Sequence, residues 1–263
     1  MPSVDVDGTR LAYDETGAGP PLVLAHAAIA DRRMWEPVVP LLAGAFRVIC
    51  YDARGFGDSH AADGTFAHWR DLAGFLRALD AAPARLIGVS MGGATVLGLA
   101  AEEPTMVDRI VVVAPGIGVS EPSPAMIAFW DAEDAALERG DLGEASEVNV
   151  RMWLDGPMRT SSEVDPAVRS LVFDMQRRAF EIANPASVEE RPAEPLRPRL
   201  SSIAAPMLVM IGELDQPDSR AVSQEVAAGA ADARFVSMPG VAHLPPLEAP
   251  EAFVELVRPF LEG

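Results

Sequence analysis

Lysine is absent from this chain, and all 21 basic residues are arginine. Without lysine there is neither a Walker-type phosphate loop nor a Schiff-base nucleophile. Cysteine is nearly absent as well. Cys50 stands alone, which excludes an internal disulfide. It lies in the apolar run Arg47-Val48-Ile49-Cys50-Tyr51, where a buried, inert thiol is expected. No stretch of about 18 apolar residues occurs, so no membrane span and no membrane partner are expected. Met1-Pro2-Ser3-Val4-Asp5 has neither a basic region nor an apolar signal core, so the expected compartment is the cytoplasm. Zinc-ligand spacings are missing, and no metal or other cofactor is called for. Positive charge is in short supply, 21 basic residues against 39 acidic ones. The net charge of −18 argues against nucleic-acid binding and gives no long-range attraction for polyanionic substrates.

What the chain does have is apolar material, 49% of 263 residues, enough for one domain or for a core with an insertion. Val4-Asp5-Val6 and Thr9-Arg10-Leu11-Ala12-Tyr13 flank Asp7-Gly8, a hairpin signal. Strand patterns at 21–25, 47–51, 85–89 and 108–113 then alternate with helical patterns near 34–43, 68–80 and 91–102. Such alternation implies an α/β fold, a mostly parallel sheet covered by helices on both faces.

The alternation stops after Ala114-Pro115-Gly116. Ser123-Pro124 reads as an N-cap with proline at the first helical position. Asp141 with Glu144 resembles a capping box, and Asp165-Pro166 opens a helix with Val168, Leu171, Val172, Met175 and Ala179 on one face. Residues 185–206 hold five prolines and read as an extended return segment. Alternation resumes at Met207. The expected organisation is a core formed by 1–116 and 201–263, with 117–200 inserted as a helical cap over the carboxyl ends of the strands.

The most informative stretch is Gly88-Val89-Ser90-Met91-Gly92-Gly93, between the strand pattern Arg85-Leu86-Ile87 and the helical pattern that follows. A serine two residues from a glycine on either side, at a strand-to-helix turn, is the nucleophile-elbow pattern. Its glycines are expected because side chains at 88 and 92 would collide across so sharp a turn. Such a serine needs a base and an acid, arriving later in the chain in the order acid then histidine. Met207-Leu208-Val209-Met210-Ile211 leads into Gly212-Glu213-Leu214-Asp215, and Ala233-Arg234-Phe235-Val236-Ser237-Met238 leads into Pro239-Gly240-Val241-Ala242-His243. Ser90, Asp215 and His243 therefore form the candidate triad: nucleophile, orienting acid and base. The competing reading is a structural serine in a glycine-rich turn. Asp218 is the rival acid, three residues further on, and Glu213 reads as a surface carboxylate.

Several further motifs carry a resemblance. Leu22-Val23-Leu24-Ala25-His26, Trp35, Asp52-Ala53-Arg54-Gly55-Phe56-Gly57-Asp58-Ser59, and Gly240-Val241-Ala242-His243 with Glu248 and Pro250 are similar, in order and spacing, to motifs of the α/β-hydrolase superfamily. The esterase, lactonase and C–C hydrolase branch matches nearly the whole chain. The resemblance implies an eight-stranded sheet and an oxyanion hole made by the backbone N–H groups of Met91 and Ala28. One departure stands out. The family's usual glycine after the oxyanion-loop histidine is Ala27 here, so either the loop uses ordinary backbone angles or the second donor is displaced.

Among the other residues, His26 reads as a structural brace, and His60 and His68 as solvated surface residues. Asp52, Arg54 and Asp58 read as turn-bracing. Trp35, Met126, Phe129, Trp130, Met152 and Trp153 are candidates for an apolar substrate pocket, with Trp130 and Trp153 favoured by their place in the inserted helices, and Leu244 is expected beside the site. A serine rather than an aspartate at the elbow disfavours dehalogenase and epoxide-hydrolase chemistry. It fits acyl transfer to water on a small, mostly apolar ester or lactone. Thioesters, C–C cleavage of diketone-like acids and cofactor-free perhydrolysis use the same triad, and a ligand-binding protein of this fold stays open as a different class. The expected partner is a small-molecule substrate, with homodimerisation left open.

Overall fold

The computed structural model describes residues 2–190 and 195–263. Among the described residues ten strands are formed: β1 Ser3–Val6, β2 Thr9–Thr16, β3 Pro21–Ala25, β4 Arg47–Tyr51, β5 Gly64–Phe66, β6 Ala84–Val89, β7 Val107–Val113, β8 Ser187–Glu189, β9 Met207–Gly212 and β10 Ala233–Met238. The helices are α1 Val39–Leu42, α2 His68–Ala78, α3 Met91–Glu102, α4 Pro124–Glu138, α5 Leu142–Asn149, α6 Pro166–Ile182, α7 Pro217–Gly229, α8 Pro245–Glu248 and α9 Pro250–Glu262.

Eight strands form one sheet in the order β1-β2-β4-β3-β6-β7-β9-β10. β1 and β2 are antiparallel to their neighbours, and from β4 to β10 every pairing is parallel. Parallel strands covered on both faces read as continuous apolar runs. Along β3, Leu22 and Leu24 pack into one core, while Val23 and Ala25 pack into the core on the opposite face. Cys50 is buried in the first of these cores, and burial pushes its thiol well above the usual range, so it is inert.

The order of the strands decides where a site can form. The chain leaves β3 toward β4 on one side and leaves its neighbour β6 toward β7 on the other, so a crevice opens at the carboxyl ends of β3 and β6. Ala25 and Gly88 are register partners there, which sets the loop after β3 beside the turn that holds Ser90.

Two expectations are corrected. The helical pattern at 34–43 is broken into a 3₁₀ turn, Arg32–Trp35, and the short α1. Pro37 lacks a backbone N–H and cannot extend the first turn. Part of the extended return at 185–206 is structured: β8 pairs with β5 as a separate two-stranded sheet, and Arg197–Ser202 is a 3₁₀ turn. Residues 191–194 of that stretch lie outside the described residues.

Between β7 and β9 the chain forms α4, α5 and α6. Their caps follow the sequence: Ser123 accepts from the N–H of Met126, Asp141 from Glu144, and Asp165 from Ala167 and Val168. α5 runs on into a π-helical turn, Val150–Asp155, which holds Met152 and Trp153. Among the described residues no helix is long and apolar enough to cross a membrane.

Candidate active site

Ser90 is the residue between β6 and α3, and its backbone lies at φ 54°, ψ −111°. A non-glycine residue pays about 1–3 kcal/mol for such a conformation, so the surroundings must hold it. They do so from the carboxyl end of β7. The Ser90 N–H donates to the Val113 carbonyl at 2.9 Å, and the Ser90 carbonyl accepts from the Gly116 N–H at 2.8 Å. A Cβ on Gly88 would come within 2.2 Å of the Gly92 carbonyl oxygen. A Cβ on Gly92 would come within 2.1 Å of the Ala25 carbonyl oxygen. The second contact modifies the expectation of mutual collision: Gly88 is required by the turn itself, Gly92 by the close approach of β3.

Asp215 follows β9 and His243 follows β10. Their side chains meet, Nδ1 of His243 lying 2.7 Å from Oδ2 of Asp215, with both residues buried. An ionised carboxylate can only accept, so in this contact Nδ1 carries a ring proton. The other Asp215 oxygen accepts from the Gln216 N–H at 2.6 Å. Asp218 is turned elsewhere: its Oδ1 accepts from the Ser123 N–H at 2.9 Å. Glu213 is exposed.

The loop after β3 is set by His26. Its Nε2 accepts from the Ala53 N–H at 2.9 Å, so its Nδ1 carries the proton and donates to the Ala27 carbonyl at 2.8 Å. Burial pulls the His26 pKa down, as a neutral bracing imidazole requires. Ala27 and Ala28 are not among the residues with positive φ. The loop therefore uses ordinary backbone angles, which an alanine in place of glycine can adopt. Met91 opens α3, where N–H groups have no partner within the helix.

A cavity of about 480 Å³ lies over these residues. Ser90, His243 and Ala28 line it, with Ile29, Phe56 and Phe66 from the core and Phe129, Trp153 and Phe180 from the intervening helices. The Trp153 ring lies 4.6 Å from that of His243 and meets the Phe129 ring in a T-shaped contact at 5.5 Å.

The other pocket candidates lie off the cavity wall. Trp35 is 0% exposed in the core, because the 3₁₀ turn rotates it beneath the sheet's covering helices. Leu244 is likewise a core residue. Met126 packs with Phe129, Val148 and Met152 in a small cluster among the helices. Trp130 is 42% exposed, since α4 turns Phe129 inward and Trp130 outward. His68, expected at the surface, is buried against Phe66, and burial pulls its pKa down to about 3. His60 is exposed.

The sequence reading missed the polar part of the wall: Arg54, Glu133, Asn149, Gln176, Asn184 and Ser187. Arg54 both braces a turn and faces the cavity, gripped by Asp71 through two contacts of 2.8 Å. Helical spacing could have found two others. Glu133 is four residues from Phe129, and Asn149 four residues from Trp153, so each shares a helix face with a pocket aromatic.

An eight-stranded, mostly parallel sheet, with Ser90 after β6, Asp215 after β9 and His243 after β10, is the architecture of the α/β hydrolases. Residues 22–256 match the alpha/beta hydrolase family, and the chain belongs to it. The crystal structure of the enol-lactonase from Burkholderia xenovorans LB400 superposes with a TM-score of 0.84 at 27% identity, covering 100% of both chains. The BpoC protein of Mycobacterium tuberculosis, named provisionally as a non-heme bromoperoxidase, is 30% identical over 250 residues, 92% of this chain and 94% of its own. A 2-hydroxy-6-oxononadienedioate/2-hydroxy-6-oxononatrienedioate hydrolase of Paraburkholderia xenovorans is 28% identical over 267 residues, covering 96% of this chain and 90% of its own.

Proposed function

We propose that this hydrolase cleaves a small, mostly apolar carboxylic ester or lactone through an acyl-enzyme at Ser90. The observation that carries the reading is the 2.7 Å contact between His243 Nδ1 and Asp215 Oδ2 in a site whose cavity also takes in Ser90. Ser90 Oγ attacks the carbonyl carbon as His243 Nε2 takes its proton. The resulting oxyanion is received by the N–H groups of Met91 and Ala28, donors that need no reorganisation during the reaction. Collapse expels the alcohol oxygen, which takes the proton from His243. Water, activated by the same imidazole, then attacks the acyl-enzyme and releases the acid. Asp215 keeps the ring in the working tautomer and stabilises its protonated form.

In this reading residues 117–200 are a cap that supplies the acyl-facing wall, and the enzyme works in the cytoplasm without a cofactor. The phenyl and indole rings of Phe129, Trp153 and Phe180 support an apolar acyl group. The likeness to an enol-lactonase supports a lactone or ester over other acyl donors. The test is Ser90→Ala against a panel of p-nitrophenyl esters and lactones. Loss of at least a thousandfold in turnover is expected, with an unchanged circular dichroism spectrum. Activity within tenfold of wild type in the folded variant would overturn the assignment.

A further inference from the structure

Each of the three helices between β7 and β9 places one polar side chain in the cavity wall: Glu133 from α4, Asn149 from α5 and Gln176 from α6. Gln176 is 5% exposed, and its amide makes no hydrogen bond among the described residues. The amide is not among the buried polar atoms without a partner, so it opens on the cavity, where a ligand can take up its hydrogen bonds. Asn149 Nδ2 donates to a carboxyl oxygen of Glu133 and to the Ala145 carbonyl, which fixes the pair in place.

The charges of this wall restrict what can approach. Glu133 has no ion-pair partner among the described residues, and burial pushes its carboxyl up from the ordinary range. In ionised form it repels a carboxylate, and in neutral form it donates a hydrogen bond. Among the described residues the one guanidinium of the wall, Arg54, is already neutralised by Asp71, with both side chains 4% exposed. No net positive charge is available to receive an anionic substrate. Beside the Glu133 carboxyl, the Gln176 amide offers donors and an acceptor and the Asn149 Oδ1 a further acceptor.

We propose that Gln176, with the Glu133–Asn149 pair, recognises an uncharged carboxamide on the part of the substrate remote from the scissile ester, and rejects a carboxylate there. The inference rests on the ester-hydrolase reading of Ser90 and adds the chemistry of the substrate's far end. It assigns Gln176 and Glu133 as specificity-determining residues.

The experiment uses the full chain carrying Ser90→Ala, so that ester binding is measured without turnover. Calorimetry compares three matched ethyl esters, over a homologous series of chain lengths, whose far end is a carboxamide, a carboxylate or an isopropyl group. The carboxamide ester should bind at least tenfold tighter than the carboxylate ester. Gln176→Leu, added to Ser90→Ala, should weaken the carboxamide ester about tenfold and leave the isopropyl ester within twofold. Gln176→Met serves as the second variant should leucine disturb folding, and Glu133→Gln should improve carboxylate binding. Equal or tighter binding of the carboxylate, a preference that survives both Gln176 variants, or no binding of the carboxamide at any chain length would each overturn the proposal. Wild-type hydrolysis separates the two readings. Turnover without end-group discrimination sinks this proposal alone, whereas end-group discrimination in binding without turnover of any ester sinks the ester reading alone.

Discussion

The Arg159 guanidinium lies 2.7 Å from the Glu248 carboxylate, and the pair ties the segment before α6 to the loop that carries His243. Glu248 holds that loop on both sides of the histidine. It accepts from the Ala242 N–H at 2.9 Å and from the Leu244 N–H at 3.0 Å. The His243 N–H itself donates to the Trp153 carbonyl at 3.3 Å. The imidazole is thus positioned through its own backbone as well as through Asp215.

Removing Glu248 should therefore impair the histidine without touching the substrate. Glu248→Ala leaves two backbone donors without an acceptor and the largely buried Arg159 guanidinium without its carboxylate, held only by the Leu154 and Asp155 carbonyls, a loss of about 3–5 kcal/mol in stability. Ester turnover should fall about 10–100-fold in kcat with KM nearly unchanged. Glu248→Gln, which keeps an acceptor, should recover part of it. Arg159→Met should cost less, because Glu248 keeps both N–H bonds. Denaturant titration with steady-state kinetics measures these effects, and a KM effect without a kcat effect would contradict a positioning role.

The two aspartates after β9 offer a sharper contrast. Asp215→Asn should lower kcat by several orders of magnitude, because an amide donating to Nδ1 favours the wrong tautomer. Asp218→Asn should leave kcat within a few-fold, since its carboxylate serves the Ser123 N–H before α4. Kinetics on the two purified variants decides between them, and a damaging Asp218→Asn with an active Asp215→Asn would reverse the assignment of the acid.

Much of this site was legible in the sequence because its parts are local. A serine between two glycines, and an acid and a histidine each just past an apolar run, are short-range patterns, and the strands they follow fall within a residue or so of the runs that announce them. The side of a helix that meets the cavity is not local. Trp130 and Phe129 are neighbours of similar chemistry, and only packing against α5 and the π-helical turn decides that Phe129 points inward. Trp35 follows the loop after β3 in sequence, yet it lies in the core. β5 and β8, three residues each, are too short to show alternation, and their partners are far apart in the chain.

That difference in facing gives a test of the pocket wall. Trp153→Ala removes a ring from beside His243 and should change the relative kcat/KM along an acyl-length series at least tenfold. Trp130→Ala should leave the profile within twofold, because its ring lies on the outer side of α4. Reactivity of Ser90 toward a small phosphonylating reagent reports whether the triad survives in each variant. A shifted acyl profile in Trp130→Ala with an unshifted one in Trp153→Ala would place the specificity wall elsewhere.

His68 makes stability depend on pH. Its folded-state pKa, about 3, lies below the ordinary value of 6.5, because burial against Phe66 disfavours the imidazolium. The unfolded chain therefore binds a proton that the folded chain does not whenever the pH lies between these two values. The sign follows: stability is full above pH 6.5 and declines as the pH falls toward 3. At pH 5 the contribution of this one group is a loss of about 2 kcal/mol relative to neutral pH, from the ordinary histidine value alone. His26, also buried and neutral, acts in the same direction. His68→Phe removes the titrating group while keeping an aromatic ring of similar breadth beside Phe66. Urea titrations at pH 5 and pH 8 should show a smaller difference in unfolding free energy for the variant than for the wild type, by about 2 kcal/mol, whatever the substitution does to stability at pH 8. An identical pH dependence in the two proteins would mean that His68 takes up its proton in the folded state as readily as in the unfolded chain.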